Sequence, residues 1–152
     1  MFPATPGCRA QPQPKGSEMS TKKRIKTSRS KRPSPEGLPV LRPNAAGLDI
    51  GSREVWACSA PSGDVRVECF GTTTGALEAL ADWLLDAGVD TVAMESTGVY
   101  WIPVFDVLET RGLEVILVDA RQVKGVPGRK TDVLDCQWIR LLHACGLLKG
   151  CF

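Results

Sequence analysis

Four acidic side chains of this 152-residue chain stand where a carboxylate is either costly or well placed for chemistry. Asp49 lies inside a short apolar run, where an uncompensated charge is unfavourable. Glu95 follows an apolar run at what should be the carboxyl end of a strand, the edge at which ligands collect in open α/β sheets. Asp132 and Asp135 are three residues apart, so a helix would project both from one face. We expect all four to converge on one spot.

Four converging carboxylates repel one another, so such a pocket is electrostatically unfavourable unless cations enter it. All four side chains offer hard oxygen ligands, which Mg²⁺ or Mn²⁺ prefers. Two divalent ions would balance four carboxylates and leave open positions for the attacking and leaving oxygens of a phosphodiester. The residues therefore predict a two-ion site that acts on phosphodiesters.

Two of the acidic residues, taken singly, have a simpler interpretation, whereas the apolar neighbours of Asp49 argue against one for that residue. Asp132 could be a helix-start charge favoured by the macrodipole, and Asp135 could be a solvated surface residue. The G-x-D-x-G pattern of Gly47, Asp49 and Gly51 also occurs in phosphate-binding turns of sugar kinases and actin-like ATPases. The pattern needs support from the rest of the chain.

Hydrophobic periodicity predicts the elements that must position these carboxylates. Period-2 runs predict strands, and apolar residues at i, i+3, i+4 and i+7 predict amphipathic helices. The resulting order, with a hairpin first and β-α units after it, predicts an α/β fold with a mixed five-stranded sheet and flanking helices. The predicted elements are strands at 48–50, 54–59 and 65–70, a helix over 77–85 stopped by Gly88, a strand at 91–94, a helix over 101–108 stopped by Gly112, a strand at 113–118, a basic loop at 123–129 and a helix from Thr131 to Cys145 closed by Gly146.

The charge of the chain is divided between a basic tail and an acidic body. Residues 1–43 hold ten Lys/Arg and two Asp/Glu, a net charge of +8, so residues 44–152 hold nine and fifteen, a net of −6. The Pro-, Ser- and Lys-rich tail lacks hydrophobic periodicity and is predicted to be disordered. Seven cations at 22–32 suit phosphate backbones, although a merely solubilising tail is an equal alternative. Residues 44–152 form the predicted folded domain.

No run approaches the roughly 18 apolar residues of a membrane helix, and no apolar block of a secretory signal is present near the start. We therefore expect a cytoplasmic protein with no membrane partner. Six cysteines lie at irregular spacing without a C-x-x-C pair, which favours reduced thiols over a disulfide framework or a zinc site.

Three motifs in order carry a family resemblance: Gly47–Gly51 (GLDIG), Met94–Trp101 (MESTGVYW) and Gly128–Asp135 (GRKTDVLD). With them, residues 45–152 resemble the N-terminal domain of the DEDD transposases of the IS one-ten insertion-sequence family. The resemblance implies a RuvC-like domain of the RNase H-like fold, with Asp49, Glu95, Asp132 and Asp135 as its four acidic, magnesium-binding residues.

The same resemblance implies partners and a missing part. Members of this family act on DNA under the guidance of a bridge RNA. In them a separate C-terminal domain supplies a serine nucleophile. We also expect the intact protein to be a homo-oligomer. The chain ends at Phe152, and residues 146–152 resemble the junction just after the last acidic helix. We therefore expect a transposase fragment without the serine-bearing half.

Two smaller features concern nucleic acid. Lys124, Arg129 and Lys130 lie in the loop before Asp132, where they could bind a phosphate or guide-RNA backbone, or could only offset the acidic cluster. Tyr100 and Trp101 could stack on a base, but Trp101 is in register with an apolar stripe, which favours core packing.

The expected function is that of a DNA transposase fragment, whose DEDD domain takes part in strand cleavage and exchange during transposition. The alternative is a non-catalytic remnant that binds nucleic acid or full-length transposase.

Overall fold

The computed structural model describes residues 38–123 and 132–151, with side chains from residue 135 onwards in the second range. Five strands, four helices and a 3-10 turn at Pro61–Gly63 are present in these ranges. The elements in chain order are β1 (Ala45–Ile50), β2 (Glu54–Ser59), β3 (Arg66–Gly71), α1 (Thr74–Asp86), β4 (Thr91–Ser96), α2 (Trp101–Thr110), β5 (Glu114–Leu117), α3 (Ala120–Val123) and α4 (Asp132–Ala144).

The strands form one mixed sheet in the order β3-β2-β1-β4-β5. The β1–β2 and β2–β3 pairs are antiparallel, whereas β1–β4 and β4–β5 are parallel. The predicted mixed five-stranded sheet with flanking helices is therefore confirmed. This topology puts β1 at the centre, between the hairpin strand β2 and the β-α strand β4.

One face of the sheet packs against α1 and α2 through an apolar core. Thr73 caps α1, because its side chain accepts a hydrogen bond from the Ala76 N–H, and Gly88 ends the helix region with a φ of +73°. The buried side of α1 consists of Leu77, Leu80, Ala81 and Leu84, as the periodicity predicted, whereas Leu85 of the same predicted stripe is exposed. The strand residues in this core include Ala46, Leu48, Ile50, Val55, Ala57, Val92 and Met94.

The other face carries α4, which lies directly over β1 and β2. Ile139 of α4 packs with Ala93, Val118 and Val123. Gly47 of β1 makes this close approach possible: a β-carbon there would overlap the Arg140 backbone nitrogen and would lie 2.5 Å from the Cys136 carbonyl oxygen. A glycine at this position lets the helix backbone approach the strand.

The structure also differs from the expectations in detail. The short helix α3 was not predicted, since four residues are too few to show a helical period. Leu41 and Arg42, assigned to the tail from the sequence, both donate backbone hydrogen bonds to the Ala144 carbonyl. Thr131, where the last helix was predicted to begin, lies outside the described residues.

The aromatic pair at the start of α2 behaves as its periodicity suggested. Trp101 is partly buried against the core and forms an edge-to-face contact with Phe105, with ring centroids 5.9 Å apart. Tyr100 is 45% exposed. Core packing of Trp101 is thus confirmed, and Tyr100 faces solvent.

Four cysteines, Cys58, Cys136, Cys145 and Cys151, are free thiols. Cys69 is disulfide-bonded, so the prediction of reduced thiols is wrong at this position. Cys69 lies on β3, an edge strand, and is half-buried. Across residues 38–123 and 132–151, none of the helices is long and apolar enough to cross a membrane.

Candidate metal and nucleic-acid site

Asp49 and Glu95 are directly opposite each other in the parallel β1–β4 pair. Residues in register on neighbouring strands project to the same face of a sheet, with backbones about 4.8 Å apart. The two residues are therefore neighbours on one face of the sheet, while the convergence of all four carboxylates stays a prediction. Both lie near the carboxyl ends of their strands, and both belong to the face covered by α4.

Helix α4 brings a third predicted carboxylate to the same place. Asp135, in its first turn, lines an open pocket of about 440 Å³ together with Asp49 and Glu95. That volume lies within the range of roughly 300–1,000 Å³ that is typical of ligand sites. The complete lining is Asp49, Ile50, Gly51, Ser52, Arg53, Glu54, Trp56, Glu95, Thr97 and Asp135.

Sequence reasoning did not assign several polar residues to this pocket, among them Arg53, Glu54 and Trp56. Trp56 is the antiparallel partner of Asp49, so it extends the Asp49–Glu95 row onto β2. The signal was available in the predicted hairpin, because two-residue alternation along β2 places Glu54 and Trp56 on one face. The indole Nε1 of Trp56 is buried and has no hydrogen-bond partner among the described residues.

Of the remaining predicted site residues, the structure describes only the backbone of Asp132. Asp132 is the first residue of α4, so its backbone is one helical turn from Asp135, but its side chain lies outside the described residues. Lys124, Arg129 and Lys130 also lie outside them. Their proposed nucleic-acid contacts stay predictions.

The chemistry of the pocket suits a hard divalent cation, but its described ligand set is incomplete. Asp49, Glu95 and Asp135 offer only carboxylate oxygens, the donors that Mg²⁺ and Mn²⁺ prefer. Within residues 38–123 and 135–151, no three His, Cys, Asp or Glu side chains form a group that could hold a metal ion. The described carboxylates therefore fit a metal site in donor type and share one pocket, but they do not form a complete ligand set by themselves.

A pair of buried thiols lies behind the carboxylate row. Cys58 of β2 and Cys136 of α4 are hydrogen-bonded, and this bond, aided by the charge of Arg140, lowers the pKa of Cys58. The same bond, followed by burial and the nearby charges of Cys58 and Asp49, raises the pKa of Cys136. Cys136 therefore stays protonated and donates to Cys58.

His143 and Thr91 form a second polar link between α4 and the sheet. His143 Nε2 and Thr91 Oγ1 are 2.8 Å apart, and His143 is only 1% exposed. Burial, with a further contribution from the charge of Arg42, lowers the pKa of His143 to about 4. The side chain is therefore neutral at pH 7, and it joins α4 to the strand that carries Glu95.

A central β1 flanked by an antiparallel hairpin and a parallel β-α unit, with a carboxylate pocket under the last helix, defines an RNase H-like domain of the RuvC type. A solved structure, that of T. thermophilus RuvC in complex with a Holliday junction substrate, is similar to this chain. The TM-score is 0.53 at 18% sequence identity, over 70% of this chain and 98% of the RuvC chain. The RNase H-like fold predicted from the sequence is therefore confirmed.

A match between the sequence and a family model identifies the family. Residues 46–143 match the family model DEDD_Tnp_IS110, described as a transposase, and the match spans well over half of the chain. The chain belongs to this transposase family. A comparison with curated proteins gave no significant match.

Proposed function

We propose that this chain is a metal-dependent DNA-processing domain of a transposase, which takes part in strand cleavage and exchange. The observation that carries the proposal is the direct pairing of Asp49 with Glu95 above a pocket that Asp135 also lines. Three residues from distant parts of the chain thereby share one open pocket. Membership of the transposase family supports a DNA substrate for that pocket.

Asp49, Glu95, Asp132 and Asp135 would hold one or two Mg²⁺ or Mn²⁺ ions. Such ions, when bound, stabilise charge on a phosphodiester and lower the pKa of an attacking hydroxyl. The chain contributes rigid placement: two of the carboxylates are fixed by the register of β1 and β4. Asp135 is fixed by the packing of α4 across Gly47. The carboxylates also exclude a bare phosphate from the pocket, because like charges repel.

The proposed partners are DNA, a guide RNA and further copies of the transposase. DNA is supported by the similar RuvC structure, which was solved with a Holliday junction. Guide RNA and oligomerisation follow from the family resemblance alone. Lys124, Arg129 and Lys130, together with the basic segment 22–32 of the proposed tail, supply the positive charge that a phosphate backbone requires.

Thermal unfolding of the full chain in Mg²⁺ or Mn²⁺ tests the metal site. A ligand at 100 times its dissociation constant stabilises the folded state by about 2.7 kcal/mol, so the Tm should rise by several degrees. Asp49→Asn and Glu95→Gln should each abolish most of this rise, because each removes a charged ligand. Asp106→Asn, at an exposed carboxylate of α2 outside the pocket, is the matched control and should keep it.

The same samples separate the proposal from its main alternative. A folded wild-type chain whose Tm ignores both metals would contradict the metal-dependent function. If RNA or DNA binding nevertheless persists and survives Asp49→Asn and Glu95→Gln, a non-catalytic nucleic-acid-binding role is favoured instead.

A further inference from the structure

The turn between β1 and β2 has a fixed base beside the carboxylate pocket. The Gly51 N–H donates to the Glu54 carbonyl at 2.9 Å, which closes the turn. The Ile50 carbonyl accepts from the Thr97 N–H at 3.3 Å and from the Thr97 hydroxyl at 3.4 Å. Thr97 directly follows β4, so the base of the turn is held against the strand that carries Glu95. The backbone at the base of this turn therefore has a defined position relative to the pocket.

Arg53 lies in this turn and is a cation at the rim of an acidic pocket. It is exposed, and it lines the pocket that also contains Asp49, Glu54 and Asp135. Despite these neighbours, no ion pair within 4.0 Å among the described residues includes Arg53. Arg66, an exposed arginine at the start of β3, instead forms an ion pair with Asp64 at 3.4 Å. The Arg53 guanidinium is thus available to an external anion.

A nucleic-acid strand has an electrostatic difficulty at this pocket. The carboxylates that would hold metal also repel the phosphates on either side of the reacting one. A cation at the rim offsets this repulsion and fixes the register of the strand, as phosphate contacts generally do. A guanidinium is well suited to the task, since its planar fork of N–H donors matches two phosphate oxygens at once.

We propose that Arg53 is a substrate-binding residue, which contacts a backbone phosphate next to the phosphodiester held at Asp49, Glu95 and Asp135. This inference rests on the proposed function, because it assumes that a nucleic-acid strand enters the pocket. The competing account is that Arg53 only balances the charge of the carboxylates. The two accounts differ in what happens to nucleic-acid affinity when the cation is removed.

The test measures binding of the full chain to a fluorescein-labelled DNA four-way junction and a duplex, by anisotropy in Mg²⁺, over a series of NaCl concentrations. Loss of one charge-assisted phosphate contact in Arg53→Gln should weaken binding about tenfold. The loss should be similar for all sequences, and the slope of log K against log [salt] should decrease by about one. Arg53→Lys should keep the slope but recover only part of the affinity, because it lacks the planar fork.

Arg66→Gln is the matched control, since it removes an exposed arginine of the same sheet region that lies outside the pocket. It should keep both the affinity and the salt slope. Unchanged affinity and slope in Arg53→Gln would overturn the inference and leave the proposed function intact, provided that the metal-induced rise in Tm persists. A wild-type chain that binds neither DNA would overturn both.

Discussion

The two faces of the sheet bury different types of residue. The face under α1 and α2 buries an unbroken set of apolar side chains, centred on Leu48, Leu80 and Met94. The face under α4 buries a smaller apolar cluster together with a glycine, two thiols and the His143–Thr91 pair, and it ends in the carboxylate pocket. A buried polar group is costly without a partner, so the His143–Thr91 contact favours one position of α4 on the sheet.

The difference indicates that one face mainly stabilises the domain and the other mainly positions the site. The apolar face supplies most of the hydrophobic free energy of folding, which depends on area and tolerates changes in detail. The α4 face determines where the functional groups lie, and hydrogen bonds and close backbone contacts do this by direction and distance. Substitutions on the two faces should therefore separate stability from site geometry.

The largest expected effect is on the apolar face. Leu80→Ala removes a fully buried side chain from the centre of the α1 core, and we expect a loss of about 2–5 kcal/mol in the free energy of unfolding. The folded fraction should still show the metal-induced rise in Tm, because the pocket lies on the opposite face. Denaturant unfolding with and without Mn²⁺ measures both quantities. A selective loss of the metal response in Leu80→Ala would contradict the separation of the two faces.

The free energy of unfolding should depend on pH through His143 on the α4 face. The pKa of His143 is about 4 in the folded chain against 6.5 for the free side chain, so the folded state prefers the neutral form. Its contribution to stability is fully present above pH 6.5 and is lost as the pH falls toward 4. One pKa unit corresponds to about 1.36 kcal/mol, so the loss amounts to roughly 3 kcal/mol.

Neighbouring charges also shift the pKa of His143. Arg42 lowers the pKa of His143, while Glu114 and Asp90 raise it by smaller amounts. Urea unfolding between pH 7 and pH 4 isolates the histidine when wild type is compared with His143→Gln, which keeps a hydrogen-bonding group for Thr91. The variant should show a flatter pH dependence over this window. Parallel curves for the two proteins would refute the assignment to His143.

Gly47 lies at the contact between β1 and α4 and should be intolerant of a side chain. In Gly47→Ala the added methyl group would collide with the backbone of Arg140 and Cys136, which cannot yield as a flexible side chain does. We expect a loss of about 1–3 kcal/mol from overpacking, together with a reduced metal response as α4 and Asp135 shift. Thermal unfolding with and without Mn²⁺ measures both effects.

Gly75→Ala provides the control for Gly47→Ala. Gly75 lies in α1, and a β-carbon there would meet nothing within 4 Å. Alanine should be neutral or stabilise the helix by up to about 1 kcal/mol, with the metal response unchanged. Equal behaviour of the two alanine variants would show that close packing at Gly47 does not position the site.

The fold could be predicted largely from local signals. The periodicity of α1, the β-branched run of β5 and the glycines after the helices each report on their own neighbourhood, and Gly88, Gly112 and Gly146 all have positive φ. The helix α3 was not predicted, because its four residues span barely one helical turn and the period cannot repeat within them. Cys69 escaped prediction as well, since a disulfide depends on a second residue that the local sequence does not identify.

The site was less predictable than the fold. Asp49 attracted attention because a carboxylate inside an apolar strand is costly, and Glu95 because it ends a strand. Arg53 and Trp56 gave no such signal: an exposed arginine and a strand tryptophan are ordinary until the hairpin register places them at the pocket. Motif reasoning finds residues that are unusual where they stand, and it passes over those that matter only through their neighbours.

Residue types and their spacing along the chain were enough to predict the order of the strands and the longer helices, the acidic residues and, through three motifs, the transposase family. The pairing of Asp49 with Glu95, and the presence of Asp135 in the same pocket, became apparent only in the folded chain. The folded chain also shows that Gly47 is a point of close approach between strand and helix. Strand register and helix docking are set by contacts between distant segments, and these exist only when the chain is folded.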